Sequence, residues 1–131
     1  MHWGNLLNSG AALFIIEATG VTPEARITPA CLGLWDDRTE AALKDKLTRA
    51  RQLAPATPVF IQLAHAGRKA SSATPWDGGQ LLAKDQGGWE TLAPSPIPQL
   101  EGERLPHELS KEELKKLIDD FVSSAKRADR I

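Results

Sequence analysis

Residues 58–69 read PVFIQLAHAGRK, a short β-branched and aromatic run followed by a polar segment. A similar run lies at residues 11–20, which read AALFIIEATG. Apolar runs of this length without polar alternation are typical of strands that a parallel sheet buries on both faces. The sequence therefore predicts two buried parallel strands, each ending in polar residues.

A helix is predicted between these strands, over residues 36–53. Asp36 or Asp37 can cap its first turn, apolar residues recur at helical spacing, and Pro55 bounds its end. The order strand, helix, strand forms a βαβ unit, whose connection is expected to be a right-handed crossover between parallel strands.

Residues 70–107 follow as an irregular segment rich in glycine and proline. A plain connection in a compact domain is rarely this long. We therefore expect an excursion with short hairpins, held down by Trp76 and Trp89.

A last helix is predicted to begin at Ser110, which forms a capping box with Glu113. Two parallel strands and two helices cannot cover strands of this apolarity on every side, and the last helix is still running where the sequence stops. We therefore expect a piece of a larger α/β fold, or a chain that associates to complete one. The apolar stripe predicted for this helix consists of Leu114, Leu117, Ile118, Phe121, Ala125 and Ala128.

The charge of the chain argues against several classes of partner. Its 131 residues carry 16 Lys and Arg against 17 Asp and Glu, which gives no bulk attraction to nucleic acid or anionic membranes. The longest apolar run, residues 11–16, is far shorter than the roughly 20 residues of a membrane-spanning helix. With one cysteine, Cys31, and no secretory signal, the predicted compartment is the cytoplasm.

Common nucleotide and metal motifs are absent from the sequence. It contains no GxGxxG, no GxxxxGK[ST], no HExxH and no pair of cysteines, so Rossmann binding, P-loop chemistry and thiolate metal sites have no support. His2, His65 and His107 are too scattered to predict a metal site.

The candidate functional residues follow the two strands, since α/β folds bind ligands at the carboxyl ends of their strands. Gln62 is the most informative, because a buried amide needs partners for both its carbonyl and its NH2 group. An amide suits a heteroaromatic edge that alternates donors and acceptors, and the alternative is a glutamine satisfied by neighbouring backbone. The other candidates are Glu17, Ala18, Thr19, His65 and Arg68.

The charged candidates each carry two interpretations. His65 can serve as a general acid or base or contact an anion, whereas the structural alternative is a histidine that braces its loop through backbone hydrogen bonds. Arg68 and Lys69 can meet a phosphate or carboxylate, or simply be solvated. Arg26 is expected to pair with an acidic neighbour, and Glu17 to be a buried acid tied to Arg26 or Arg68 rather than a catalytic carboxylate.

Several of these residues belong to motifs that occur together in one family. The chain is similar to the Old Yellow Enzyme family of NAD(P)H:flavin oxidoreductases, in the branch of the xenobiotic reductases and thermophilic-like ene-reductases. The similarity covers essentially the whole chain, and QLAHAGRK with PWDGG is its most specific part. The motifs are, in order, EATGV (17–21), GLWDD (33–37), IQLAHAGRK (61–69), PWDGG (75–79) and APS (93–95).

The resemblance implies a TIM (β/α)8 barrel that holds FMN at the carboxyl ends of its strands, with NAD(P)H as reductant and an enone-like activated alkene as acceptor. Residues 13–17 and 58–63 resemble the second and third barrel strands. The resemblance places the Ala18 backbone against the isoalloxazine ring and the Gln62 amide at its pyrimidine edge. Residues 70–107 resemble the capping subdomain, and the last helix resembles the third barrel helix.

Against the family pattern, the chain is interpreted as beginning after the first strand and ending before the strand that carries the substrate-binding histidine pair. The family's tyrosine proton donor has no counterpart here either, since the chain contains no tyrosine. A complete barrel takes about 250 residues, so residues 1–131 are interpreted as a partial FMN-binding α/β domain. We assign no catalytic residue and expect little turnover from this chain alone. It can act as a homo-oligomer or with a complementing barrel half; the alternative is a non-catalytic remnant or split segment that folds only with a partner.

Overall fold

A three-stranded parallel sheet lies at the centre of the computed structural model, which describes residues 2–131. The strand order is β2-β1-β3, with β1 at Phe14–Gly20, β2 at Leu32–Gly33 and β3 at Val59–Ala64. Helix α2 (Asp37–Arg51) follows β2 and leads into β3. Because β3 pairs in parallel with β1, the predicted βαβ order is confirmed. The two-residue strand β2 was not predicted, because so short a strand carries no periodic signal.

The main core forms where helices cover one face of the sheet. Helix α1 (His2–Leu7) and α2 pack on β1 and bury a cluster of apolar side chains. The α2 N-terminus is fixed by Asp36, whose carboxylate accepts the Thr39 N–H at 2.7 Å, so Asp36 rather than Asp37 is the cap. The buried cluster consists of Leu7, Phe14, Ile16, Leu47 and Ala50.

The other face of the sheet is exposed, so the prediction that both faces are buried was wrong. Ile15 and Phe60 are 56% and 61% exposed, although they alternate with buried or half-buried neighbours. The reason is that the helices among the described residues pack on one side only. We call the exposed side the open face; its side chains are Ile15, Glu17, Phe60 and Gln62.

Helix α3 (Lys111–Asp129) begins at the predicted capping box. The Ser110 N–H donates to the Glu113 carboxylate at 2.8 Å, and the Glu113 N–H donates to the Ser110 hydroxyl at 3.2 Å. Its apolar stripe is not buried as one surface, because Ile118 is 62% exposed. The buried contact is instead polar, since Ser124 is fully buried and donates to the Leu34 carbonyl at 2.9 Å.

The capping segment, residues 70–107, contains one short antiparallel bridge and no regular hairpin. Its strand β4 (Leu92–Ala93) pairs in parallel with β5 (His107–Glu108), and the antiparallel bridge joins Ser72 to Leu81. The expectation that Trp76 and Trp89 both hold this segment was right for Trp89 and wrong for Trp76. Trp76 is 78% exposed, whereas Trp89 is anchored to the body of the protein.

Candidate functional site

The regular pairing of β1 with β3 breaks near the carboxyl ends of both strands. Ile16 lies opposite Ile61, but the next pair is Thr19 with Leu63. Two residues of β1, Glu17 and Ala18, therefore oppose the single residue Gln62, which is the arrangement of a β-bulge. Both residues predicted to contact the cofactor, Ala18 and Gln62, lie in this irregularity.

The bulge changes which residues of β1 face the core. Phe14 and Ile16 are buried, and strict alternation would place Ala18 next, yet Thr19 is the fully buried residue. The Thr19 hydroxyl donates to the carbonyl of Glu17 at 2.8 Å. The apolar pattern of β1 gave no signal for this extra residue, because residues 17–20 carry no alternation to interrupt.

The place of Gln62 in an apolar run predicts a buried side chain, but the structure exposes it on the open face. Among residues 2–131 its side-chain amide has no hydrogen-bond partner, so the alternative of a glutamine satisfied by neighbouring backbone is not what the structure shows. The amide offers one acceptor and two donors beside the bulge residues that have no register partner. A flat heteroaromatic ring with a mixed donor and acceptor edge fits this combination.

Glu17 is not the buried, paired acid that was expected. Its side chain is exposed on the open face, and it forms no ion pair within the described part of the chain. Because β1 alternates up to this point, residue 17 shares the uncovered side with Ile15. Both Arg26 and Arg68 have other contacts.

Arg26 stacks between two tryptophans instead of pairing with an acid. Its guanidinium lies 5.5 Å from the centre of the Trp35 ring and 5.0 Å from that of Trp89. The same group donates to the Pro23 carbonyl at 2.8 Å and to the Pro29 carbonyl at 3.3 Å. This stack joins the loop after β1 to the capping segment, a contact between residues too distant in sequence to predict.

Trp89 completes that connection through its own polar groups. Its indole N–H donates to the Glu24 carbonyl at 3.0 Å, and its backbone N–H donates to the Ser71 hydroxyl at 2.8 Å. Ser71 is fully buried and has a positive φ of 59°, which is uncommon for a residue other than glycine. The capping segment is thus fixed over the loop that follows β1.

His65 braces the loop after β3, which confirms the structural interpretation of this residue. Its Nδ1 accepts the Gly67 N–H at 3.1 Å, so the proton lies on Nε2, and burial lowers the pKa of the ring. The buried Nε2 has no partner among the described residues. Arg68, by contrast, is exposed and donates to the Pro98 carbonyl at 3.4 Å.

The remaining surface holds no metal site and no membrane helix within residues 2–131. No group of three or more His, Cys, Asp or Glu side chains there is placed to bind a metal ion. None of the described helices combines the length and apolar character needed to cross a bilayer. The candidate site is at the carboxyl ends of β1 and β3, where Ala18 and Gln62 lie at the bulge.

The chain matches known proteins over most of its length. Residues 7–130 match the model of the NADH:flavin oxidoreductase / NADH oxidase family. The chain is 41% identical over 133 aligned positions to an NADH:flavin oxidoreductase of Gibberella zeae, an alignment that covers 98% of this chain and 32% of the relative. It is 37% identical over 118 positions to an NADPH dehydrogenase of Geobacillus thermodenitrificans, which covers 90% of this chain and 30% of the relative. The chain thus spans about a third of the length of these relatives.

Solved structures show the same fold. A morphinone reductase in complex with tetrahydroNAD superposes with a TM-score of 0.70 at 24% identity, covering 98% of this chain and 36% of the reductase. An old yellow enzyme homologue from Zymomonas mobilis superposes with a TM-score of 0.68, also at 24% identity, covering 96% of this chain and 34% of that chain.

Proposed function

The chain belongs to the NADH:flavin oxidoreductase / NADH oxidase family, which includes Old Yellow Enzyme, and we propose that it forms part of an FMN site. The cofactors of this family are FMN and NAD(P)H. The observation that carries the proposal is the β-bulge, which brings Ala18 and Gln62 together at the carboxyl ends of β1 and β3. Ligands of parallel α/β proteins bind at this end of the sheet.

Each of the two residues has a separate role in this proposal. The exposed Gln62 amide orients the ring by hydrogen bonding to its pyrimidine edge, and the Ala18 backbone lies against the ring. When bound, FMN supplies hydride transfer from NAD(P)H to an activated alkene or related acceptor, while the protein supplies orientation. No residue of this chain is assigned as a proton donor.

A larger assembly is part of the same proposal, because two apolar surfaces of the chain are uncovered. Ile15 and Phe60 are exposed on the open face, while Leu114 and Ile118 are exposed on α3. A (β/α)8 barrel covers the inner face of its sheet with the remaining strands. We propose that the rest of a barrel, in the same polypeptide or in a second one, covers these surfaces.

FMN binding tests the proposal most directly. The chain is expressed alone and together with the unmatched two-thirds of the Geobacillus thermodenitrificans NADPH dehydrogenase, and FMN retention is measured by visible absorption and fluorescence quenching. Gln62→Leu is expected to weaken FMN binding about tenfold, the effect of losing roughly one hydrogen bond to the ring.

The matched control is Gln52→Leu, which removes an exposed amide at the end of α2. We expect this variant to bind FMN as the unaltered chain does. Retention of FMN only in the co-expressed form supports the split-segment alternative for this chain. No retention in either form, or equal affinity of the two leucine variants, contradicts the proposed site.

A further inference from the structure

The bulge in β1 has a local hydrogen bond that holds its backbone. A bulge leaves the extra residue outside the regular ladder. Here Glu17 and Ala18 have no register partner on either neighbouring strand among the described residues. The Glu17 carbonyl belongs to the peptide group between these two residues, and it accepts the hydroxyl of Thr19 at 2.8 Å.

Thr19 is well placed to hold this peptide, because the β1–β3 ladder resumes and the β1–β2 ladder begins at Thr19 itself. It pairs with Leu63 on one side and with Leu32 on the other, and its side chain is fully buried. The backbone of residue 19 is therefore fixed by two strands. Its hydroxyl reaches back across Ala18 to the preceding carbonyl.

We propose that Thr19 is a positioning residue, whose hydroxyl fixes the Glu17–Ala18 peptide in the orientation that contacts the FMN ring. The inference rests on the FMN site proposed above and adds a residue to it. Thr19 does not touch the ring in this proposal. It acts through the backbone of Ala18, and removal of its hydroxyl frees that peptide to rotate.

The comparison of two substitutions isolates the hydroxyl from the volume of the side chain. Thr19→Val keeps the branched shape in the buried position but leaves the Glu17 carbonyl without its donor. Thr19→Ser keeps the donor and loses one methyl group. The control Thr91→Val makes the same chemical change at another buried threonine, which lies in the capping segment.

The first measurement is amide hydrogen exchange of the chain without flavin. We expect Thr19→Val to speed exchange over residues 17–20 about tenfold and to leave α2 unchanged. Thr19→Ser and Thr91→Val are expected to match the unaltered chain over residues 17–20. The pair Thr19→Ser and Thr19→Ala repeats the hydroxyl comparison in a smaller side chain, so the test does not depend on the folding of the valine variant.

The second measurement is FMN affinity in the form that retains flavin. Thr19→Val is expected to bind several-fold more weakly, and Thr19→Ser within about twofold of the unaltered chain. Exchange and affinity that do not depend on the hydroxyl overturn the role of Thr19. Absence of FMN from every form contradicts the proposed FMN site, whereas the exchange comparison still decides whether Thr19 holds the bulge.

Discussion

Arg26 connects the loop after β1 to Trp35, just before α2, and to the distant Trp89. Its guanidinium contacts the rings of Trp35 and Trp89 and donates to two backbone carbonyls. Stacking of this kind contributes about 0.5–2 kcal/mol, and net hydrogen bonds add roughly 1 kcal/mol each. Both hydrogen bonds are exposed to solvent, so the loss is expected to be smaller than this sum. We expect Arg26→Met to lower the free energy of unfolding by about 1–2 kcal/mol, measured by urea denaturation with tryptophan fluorescence.

Two further variants show whether the planar group is responsible. Arg26→Lys is expected to recover little of the loss, because an ammonium group neither stacks nor donates in the same fork geometry. Arg38→Met removes an exposed arginine of α2 and is expected to leave the urea midpoint unchanged. Equal midpoints for the two methionine variants would show that the stack contributes nothing to stability.

Ser124 gives a second test on a single side chain. Its buried hydroxyl donates to the Leu34 carbonyl, which loses its partner in Ser124→Ala. An unsatisfied buried carbonyl costs about 1–3 kcal/mol, so we expect the free energy of unfolding to fall by that amount. The adjacent Ser123 is exposed, and Ser123→Ala is the matched control in the same denaturation series. Similar results for the two alanine variants contradict the prediction.

The contact between α2 and α3 depends on charge. Arg130 and Arg127 both donate to the Glu40 carboxylate, and hydrogen bonding from Arg130 is the main reason that the pKa of Glu40 falls to about 2. A carboxyl whose pKa is lower in the folded state stabilises the fold above its usual pKa near 4.5 and loses that effect as the pH falls toward 2.

Glu40→Gln is therefore expected to reduce the loss of stability between pH 4.5 and pH 2, measured as the free energy of unfolding across this range. The Glu113 carboxyl, held by Ser110, also has a pKa of about 2, so part of the dependence remains. Glu112→Gln alters an exposed acid on α3 and serves as the control. Parallel curves for Glu40→Gln and the unaltered chain would contradict the role of this carboxylate.

The elements that could be predicted from the sequence are those determined by residues close to one another in the chain. The Ser110 capping box and the two longer strands follow from neighbouring residues alone. The stacking of Arg26 and the exposure of Gln62 depend on what lies beside them in space, so no local pattern contained them. Ala18 and Gln62 are candidates because they follow the two strands, and the family resemblance supplies their roles, but nothing in the sequence predicts that they meet at a bulge.

At the scale of the whole molecule, one face of the central sheet is covered and the other is exposed. One phenylalanine lies on each face. Phe14 is 7% exposed in the core, whereas Phe60 is 61% exposed on the open face. Phe14→Ala is expected to cost about 3–5 kcal/mol in the free energy of unfolding. Phe60→Ala is expected to cost less than about 0.5 kcal/mol in this chain, because most of the side chain is already exposed to solvent.

The same pair of variants tests the proposed assembly. If the rest of a barrel covers the open face, Phe60→Ala weakens co-purification with the complementing segment although the chain itself remains folded. The interface would lie elsewhere if Phe60→Ala left co-purification unchanged, or if it lowered the free energy of unfolding as much as Phe14→Ala does.

The bulge also means that β1 is one residue longer than its sheet requires. Without Ala18, Glu17 would lie opposite Gln62 and Thr19 would still lie opposite Leu63, so an uninterrupted ladder would form with the same residues in the core. A chain lacking Ala18 is therefore expected to unfold at the same or a higher urea concentration, yet to lose FMN binding. Selection for stability alone would favour that shorter strand, and the surplus residue persists where binding, rather than folding, determines fitness.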